Sequence, residues 1–265
     1  MGKQFLKDRI ILITGASSGL GAEIAYQAAL QGATLIITAR NRERLEKVAK
    51  RCVPYNSGNV ASYQLDVANQ EQVQQVIAQV YDAYGRIDIL VNNAGFGLFK
   101  RLIEFELAVA EEMFQVNVLG LIHLTQLVAE KMITQGSGQI INVSSQGGKM
   151  ATPKSSIYSA TKFAVLGFSN ALRLELKPHN IQVTTVNPGP IRTNFFARAD
   201  QSGNYLKSVQ HFVLEPEYVA KKVVQAMRNK KREVNLPFVM ELGSKLYNLF
   251  PYLGDYFAGT VFNRK

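Results

Sequence analysis

The chain has 265 residues, 47% hydrophobic and 19% charged, a globular balance that argues against disorder and fits one large domain or two small ones. Its formal net charge is +10, yet the basic residues are scattered and accompany no zinc-finger, RNA-binding or basic heptad signature, so nucleic acid is not the expected partner. The single cysteine, Cys52, excludes an internal disulfide, and His123, His179 and His211 are too far apart in sequence for metal-ligand spacing, so no metal site is expected.

The first residues, MGKQFLKD, lack a signal-peptide core, and Leu6 stands where a myristoylation signal needs Ser or Thr. Arg9–Thr14 reads as a strand, and a helix follows from about Gly19 to Gln31, stopped by Gly32. Thr34–Thr38 is the second strand, and Leu45 and Val48 mark one face of the next helix. Runs such as Ile10–Ile13 and Leu35–Ile37 are far too short to span a bilayer, so a soluble, cytoplasmic protein is expected. Ala61–Leu65 is a third strand, after which Val73, Val76, Ile77, Val80 and Tyr84 follow the spacing of an amphipathic helix. Ile89–Val91 and Gln139–Val143 read as buried strands around a helix containing Val116, Leu121, Leu124 and Val128. Ile157–Lys177 is helical, Gln182–Asn187 a strand, Glu217–Asn229 a helix and Glu233–Leu236 the last strand.

Repeated β-α-β units with short, nearly all-apolar strands imply a parallel sheet covered on both faces. Right-handed crossovers make this a single doubly wound, Rossmann-like α/β domain, with its ligand site at the carboxyl ends of the strands. Its nucleotide-binding half covers about 8–150 and its catalytic half about 151–240, and an apolar C-terminal extension occupies 241–265.

Directly after the first strand comes Thr14-Gly15-Ala16-Ser17-Ser18-Gly19-Leu20-Gly21. Glycines there let the backbone approach a ligand, and the helix that follows presents free N–H groups to a pyrophosphate. The spacing, G-x-x-x-G-x-G, departs from the common G-x-G-x-x-G of dinucleotide enzymes. Enzymes that use NAD usually place an acid at the tip of the second strand. Here the tip is Thr38-Ala39-Arg40, and a guanidinium would pair with a 2′-phosphate, so the expected cofactor is NADP(H).

Tyr158 and Lys162 lie four residues apart, on one face of a helix. A second such pair, Tyr218/Lys222, lacks the context of the first: Ser145 precedes Tyr158 at the carboxyl end of a strand, and no comparable strand precedes Tyr218. These residues, with TGASSGLG at 14–21, NNAG at 92–95, Asn117 and NPGPIRT at 187–193, resemble the short-chain dehydrogenase/reductases over roughly residues 8–237.

The resemblance implies reduction of a carbonyl by hydride from NADPH, with Tyr158 as proton donor and Ser145 holding the substrate oxygen. The Lys162 cation and the oxidised nicotinamide are expected to lower the phenol's pKa. Lys162 would also anchor the nicotinamide ribose, and Asn117 would hold a proton-relay water. Gly15, Ser17, Ser18, Gly19, Leu20 and Gly21 would cradle the pyrophosphate, Asp66 and Val67 the adenine, and Asn93, Ala94 and Gly95 the adenosine ribose. Pro188, Gly189, Ile191 and Thr193 would grip the nicotinamide carboxamide and pyrophosphate, whereas Asn92 braces the sheet. The class-level alternative is a non-catalytic NADP(H)-sensing module of the same fold.

Phe96–Phe99, Gly147–Ile157, Phe195, Phe196, Tyr205 and Phe212 read as walls for a hydrophobic ketone, aldehyde or alcohol, or as core and subunit packing. The chain lacks the closing Asp-Gly-Gly usual in ketoacyl-carrier-protein reductases, which weakens an acyl-carrier assignment. In the tail, Leu242, Leu246, Leu249, Leu253 and Tyr256 recur at near-heptad spacing, broken by Pro251 and Gly254. The stripe suits core packing or the contact of a homo-oligomer (dimer or tetramer), with a substrate lid and membrane-surface docking as less favoured alternatives.

Overall fold

The computed structural model describes residues 4–56, 59–200 and 209–261. Seven parallel strands are ordered β3-β2-β1-β4-β5-β6-β7. They are β1 (Ile10–Thr14), β2 (Thr34–Ala39), β3 (Val60–Gln64), β4 (Ile89–Asn92), β5 (Gly138–Val143), β6 (Ile181–Pro188) and β7 (Glu233–Leu236). The expected strands are all present, with no end moved by more than one residue. Sequence order reverses between β2-β1 and β4, so the sheet opens a crevice at the carboxyl ends of β1 and β4.

Alternation along the strands builds two cores. Ile11 and Ile13 of β1 face one side, with α1 (Gly19–Leu30), α2 (Arg42–Cys52) and α8 (Pro216–Asn229) packed over them. Leu12 faces the other, under α3 (Gln70–Tyr84), α4 (Leu107–Phe114), α5 (Gly120–Gln135) and α6 (Ser156–Leu176). A further short helix is α7 (Phe195–Ala199). Both faces of the sheet are thus covered, as the all-apolar strands require.

The helix expected around Val116–Val128 is longer and is not regular. α4 and α5 are joined by a π-helical turn, Gln115–Leu119, centred on Asn117. Such turns cluster at functional sites, and apolar periodicity alone does not announce one. By length and composition the whole helix Leu107–Gln135 is apolar enough to cross a membrane, which counting uninterrupted runs had not picked out. Met113, Val116, Leu124, Val128 and Met132 instead bury one face of it in the second core.

The tail forms two helices, α9 (Phe238–Leu249) and α10 (Pro251–Val261). Core packing of its apolar stripe is overturned: Leu242, Leu246, Leu249, Leu253 and Tyr256 are all exposed, and α9 buries Glu241 and Ser244 instead.

Candidate active site

The turn after β1 is pinned from beneath. Thr14 Oγ1 accepts from the backbone N–H groups of Asn93 (3.0 Å) and Ala94 (3.1 Å), and Asn93 Nδ2 donates to the carbonyls of Thr14 (3.0 Å) and Gly15 (3.2 Å). Gly15 and Gly19 have φ of 64° and 56°, a region costly for a residue with a side chain, and a Cβ on Gly15 would lie 2.8 Å from Ala94 Cα. Gly21 lies behind the turn, against Asn93 and the Gly15 carbonyl, and does not reach the cavity wall. Ser18 caps α1 in extended conformation, and its side chain accepts none of the helix's first N–H groups.

A cavity of about 540 Å³ opens beside this turn. Of the expected cofactor contacts, Gly15, Ser17, Ser18, Gly19, Leu20, Arg40, Asp66, Val67, Asn93, Ala94, Gly95, Tyr158, Lys162, Pro188, Gly189, Ile191 and Thr193 line it. Met150 of the expected Gly147–Ile157 wall lines it too, whereas Asn41, Arg44, Arg198 and Met240 also line it and were not anticipated. Arg44 is four residues beyond Arg40, and helix α2, capped by Asn41, brings it to the same cavity. Arg198 is a cation on a wall expected to be apolar, but it stacks 3.7 Å over the Phe96 ring and pairs with Glu112 at 3.1 Å. Phe96, Phe99, Phe195 and Phe196 contribute the expected aromatic wall. Phe212 does not line the cavity, and Tyr205 lies outside the described residues.

Ser145, Tyr158 and Lys162 converge on this cavity. Ser145 stands at the end of β5 and caps the following turn, its Oγ accepting from Gly147 N at 3.0 Å and donating to Pro188 O at 3.4 Å. Tyr158 and Lys162 share a face of α6; the Tyr158 ring lies 5.7 Å from those of Phe99 and Phe195. Lys162 is 7% exposed and donates to Val143 O at 3.0 Å.

Burial dominates the electrostatics. It pushes the Tyr158 phenol up to about 12, against the opposing hydrogen bond of Ser145. It also pushes the Lys162 ammonium down to about 8. With the chain's own groups the phenol therefore shifts opposite to the expected direction. Lys162, 5.8 Å from the ring centroid, gives its hydrogen bond to a carbonyl. The phenol is held in its protonated form near neutrality, the form that donates a proton.

Asn117 is 1% exposed and stands behind the wall. Its Oδ1 accepts from Phe96 N at 2.9 Å, and its Nδ2 donates to Phe96 O at 2.8 Å and Thr161 Oγ1 at 3.2 Å. The π-helical turn thus ties the Phe96 loop to the helix that carries Tyr158. Asn92 braces the sheet as expected, donating to Thr125 Oγ1 and Asn142 Oδ1, both at 2.8 Å. The second pair, Tyr218 and Lys222, lies on α8, away from the cavity.

A glycine turn, a strand-end serine and a helical Tyr/Lys pair on one crevice of a doubly wound sheet define a nucleotide-dependent oxidoreductase class. Residues 9–203 match the short chain dehydrogenase family, and the chain belongs to it. An uncharacterized oxidoreductase of Staphylococcus saprophyticus is 34% identical over 223 residues, covering 84% of this chain and 92% of that protein. Among solved structures, a short-chain dehydrogenase from Sphingobium yanoikuyae in complex with NADPH is similar with TM-score 0.78 and 30% identity, over 86% of this chain and 88% of that one. An alcohol dehydrogenase from the archaeon Thermococcus sibiricus, complexed with 5-hydroxy-NADP, is similar with TM-score 0.75 and 28% identity, over 86% and 94% of the two chains.

Proposed function

We propose that this chain is an NADP(H)-dependent oxidoreductase that interconverts a hydrophobic ketone or aldehyde and its alcohol. The observation that carries the reading is the convergence of Ser145, Tyr158 and Lys162 on the cavity that also receives the glycine turn, Arg40 and Arg44. The donor set fits a phosphorylated dinucleotide. The 15–20 turn would hold the pyrophosphate, Arg40 and Arg44 the 2′-phosphate, and Asp66 and Val67 the adenine. Asn93–Gly95 would wall the adenosine ribose, Lys162 would hold the nicotinamide ribose, and Pro188, Gly189, Ile191 and Thr193 the carboxamide end. The two structural neighbours that hold NADPH and an NADP derivative support this choice.

When bound, NADPH supplies the hydride that the carbonyl carbon receives. Ser145 Oγ holds the carbonyl oxygen, and the Tyr158 hydroxyl donates its proton to that oxygen, leaving a phenolate beside the Lys162 ammonium. Asn117 fixes the Phe96 loop against α6 and so acts on orientation. Phe96, Phe99, Phe195 and Phe196 exclude water and favour an apolar substrate. The reading includes a homo-oligomer in the cytoplasm, supported by the uncovered stripe of α9 and by Cys52, a buried free thiol.

A screen of NADPH consumption and alcohol formation across steroid, acyl and aromatic ketones tests it. Reduction of at least one class is expected. Tight NADPH binding with no turnover in either direction would favour the sensing module instead.

A further inference from the structure

Helix α9 is built inside out. It buries Glu241 (7% exposed) and Ser244 (1%), while Phe238, Val239, Leu242, Leu246 and Leu249 face outward. Apolar burial therefore does not seat this helix on the domain. An ionic fork does: Lys149 Nζ lies 2.6 Å from Glu233 Oε2 on β7 and 2.9 Å from Glu241 Oε2 on α9, with all three side chains largely buried. Lys149 directly follows the turn Gln146–Gly148 that Ser145 caps. The network closes on the same turn, because Asn235 Nδ2 donates to Glu233 (3.1 Å), Asn187 Nδ2 to Asn235 Oδ1 (2.7 Å), and Gln146 Nε2 to Asn187 O (3.0 Å).

The residue beside Glu241 is Met240. Among the described residues it is the single one beyond Arg198 that lines the active-site cavity. It packs over the turn after β6: a Cβ on Gly189 would lie 2.7 Å from Met240 Sδ and 3.1 Å from Pro237 Cδ. A thioether is flexible and adapts to irregular apolar shapes, which suits a side chain that lines this cavity.

We propose that Met240 is a specificity-determining wall of the substrate cavity and that Lys149, through Glu241, is the positioning residue that holds it there. The Met240 half rests on the carbonyl-reductase reading above. The Lys149 half rests on the ion fork alone. Because the fork is largely buried, removing Lys149 leaves Glu241 and Glu233 only their longer pairs with the exposed Lys245 (3.5 Å) and Arg232 (3.8 Å), removes the one cation that joins them, and so loosens α9 from the Ser145 turn.

The test uses the full-length chain and a homologous series of phenyl n-alkyl ketones at saturating NADPH. Met240→Ala should shift the kcat/KM preference toward longer chains by about tenfold, the scale of one to a few methylenes, with NADPH affinity unchanged. Lys149→Met should raise KM more than it lowers kcat, and Lys149→Arg should restore it. In the Met240→Ala background Lys149→Met should no longer alter chain-length preference, since both act through one wall. Independently of turnover, Lys149→Met should speed hydrogen exchange across 238–249 by roughly tenfold or more while 156–176 stays protected. Unchanged exchange in α9 overturns the clip. Unchanged chain-length preference in an active Met240→Ala enzyme, or a loss of NADPH affinity, overturns the wall and leaves the carbonyl-reductase reading standing. A wild type inactive on every ketone counts against that reading and takes the Met240 assignment with it, while the exchange result still decides the clip.

Discussion

Replacing Arg40 by Ala should weaken NADPH binding and leave NADH binding nearly unchanged, because in the proposed reading the guanidinium would meet the 2′-phosphate, the one group that distinguishes the two. A hydrogen bond to a charged group contributes ~1.5–3 kcal/mol when well enclosed. Arg40 is solvent-exposed, so screening reduces its share to about 1–1.5 kcal/mol, or roughly 5- to 13-fold in affinity. Arg44 lines the same end of the cavity and retains part of the field when Arg40 is lost. The double variant Arg40→Ala/Arg44→Ala should therefore lose about 2–3 kcal/mol, roughly 30- to 150-fold. Fluorescence titration of wild type and both variants with each nucleotide measures this directly. Since exposed charges are screened by salt, raising ionic strength should shrink the wild-type preference for NADPH and leave the double variant unaffected. Equal wild-type affinity for NADPH and NADH, or a double variant no weaker than the wild type, would refute the reasoning.

Lys162→Met should abolish turnover and weaken NADPH binding, yet raise the melting temperature of the protein without nucleotide at pH 7, because it removes a cation that burial disfavours. The sign in pH follows from the same group: its proton leaves at about 8 in the folded chain but near 10.5 when unfolded, so stability rises with pH across that window. Tyr158 contributes the reverse between 10.0 and about 12, where the folded chain keeps a proton that the unfolded chain releases. Wild-type melting curves at pH 7, 9 and 11 compared with those of Lys162→Met and Tyr158→Phe check both signs. Tyr218→Phe should be silent in kcat/KM, since that ring is 45% exposed and far from the cavity; a tenfold loss would mean the wrong Tyr/Lys pair was chosen. Leu242→Glu/Leu246→Glu/Leu249→Glu should lower the molecular mass in solution by light scattering without altering NADPH affinity, and an unchanged oligomer would remove the stripe as a subunit contact.

The sheet was legible because buried parallel strands must be apolar on both faces, and Ile11, Leu12 and Ile13 fill two cores at once. The Tyr158/Lys162 pair could be told from Tyr218/Lys222 because a strand end with Ser145 precedes it, and position in a doubly wound sheet fixes which helices reach the crevice. Other features depend on tertiary context. The π-helical turn at Asn117 inserts one residue into a helix without changing its composition. Arg44 is one more scattered basic residue until α2 is placed beside the crevice. The tail misled because its leucines at helical spacing predict a buried face, whereas Lys149 holds the opposite, polar face down. The upward shift of the phenol in the chain alone was not legible, because residue types show Lys162 nearby but not that its ammonium donates to the Val143 carbonyl.

The central claim is that Tyr158 delivers the proton, and Tyr158→Phe isolates it, since only the hydroxyl is removed while the ring keeps its contacts with Phe99 and Phe195. The measurement is single-turnover reduction of the best ketone from the screen, alongside NADPH affinity by fluorescence. The account predicts a rate loss of about 10²- to 10⁴-fold, the usual contribution of a positioned general acid, with NADPH affinity unchanged within about twofold. A variant that keeps most of its rate, or that loses rate only because NADPH no longer binds, would contradict it.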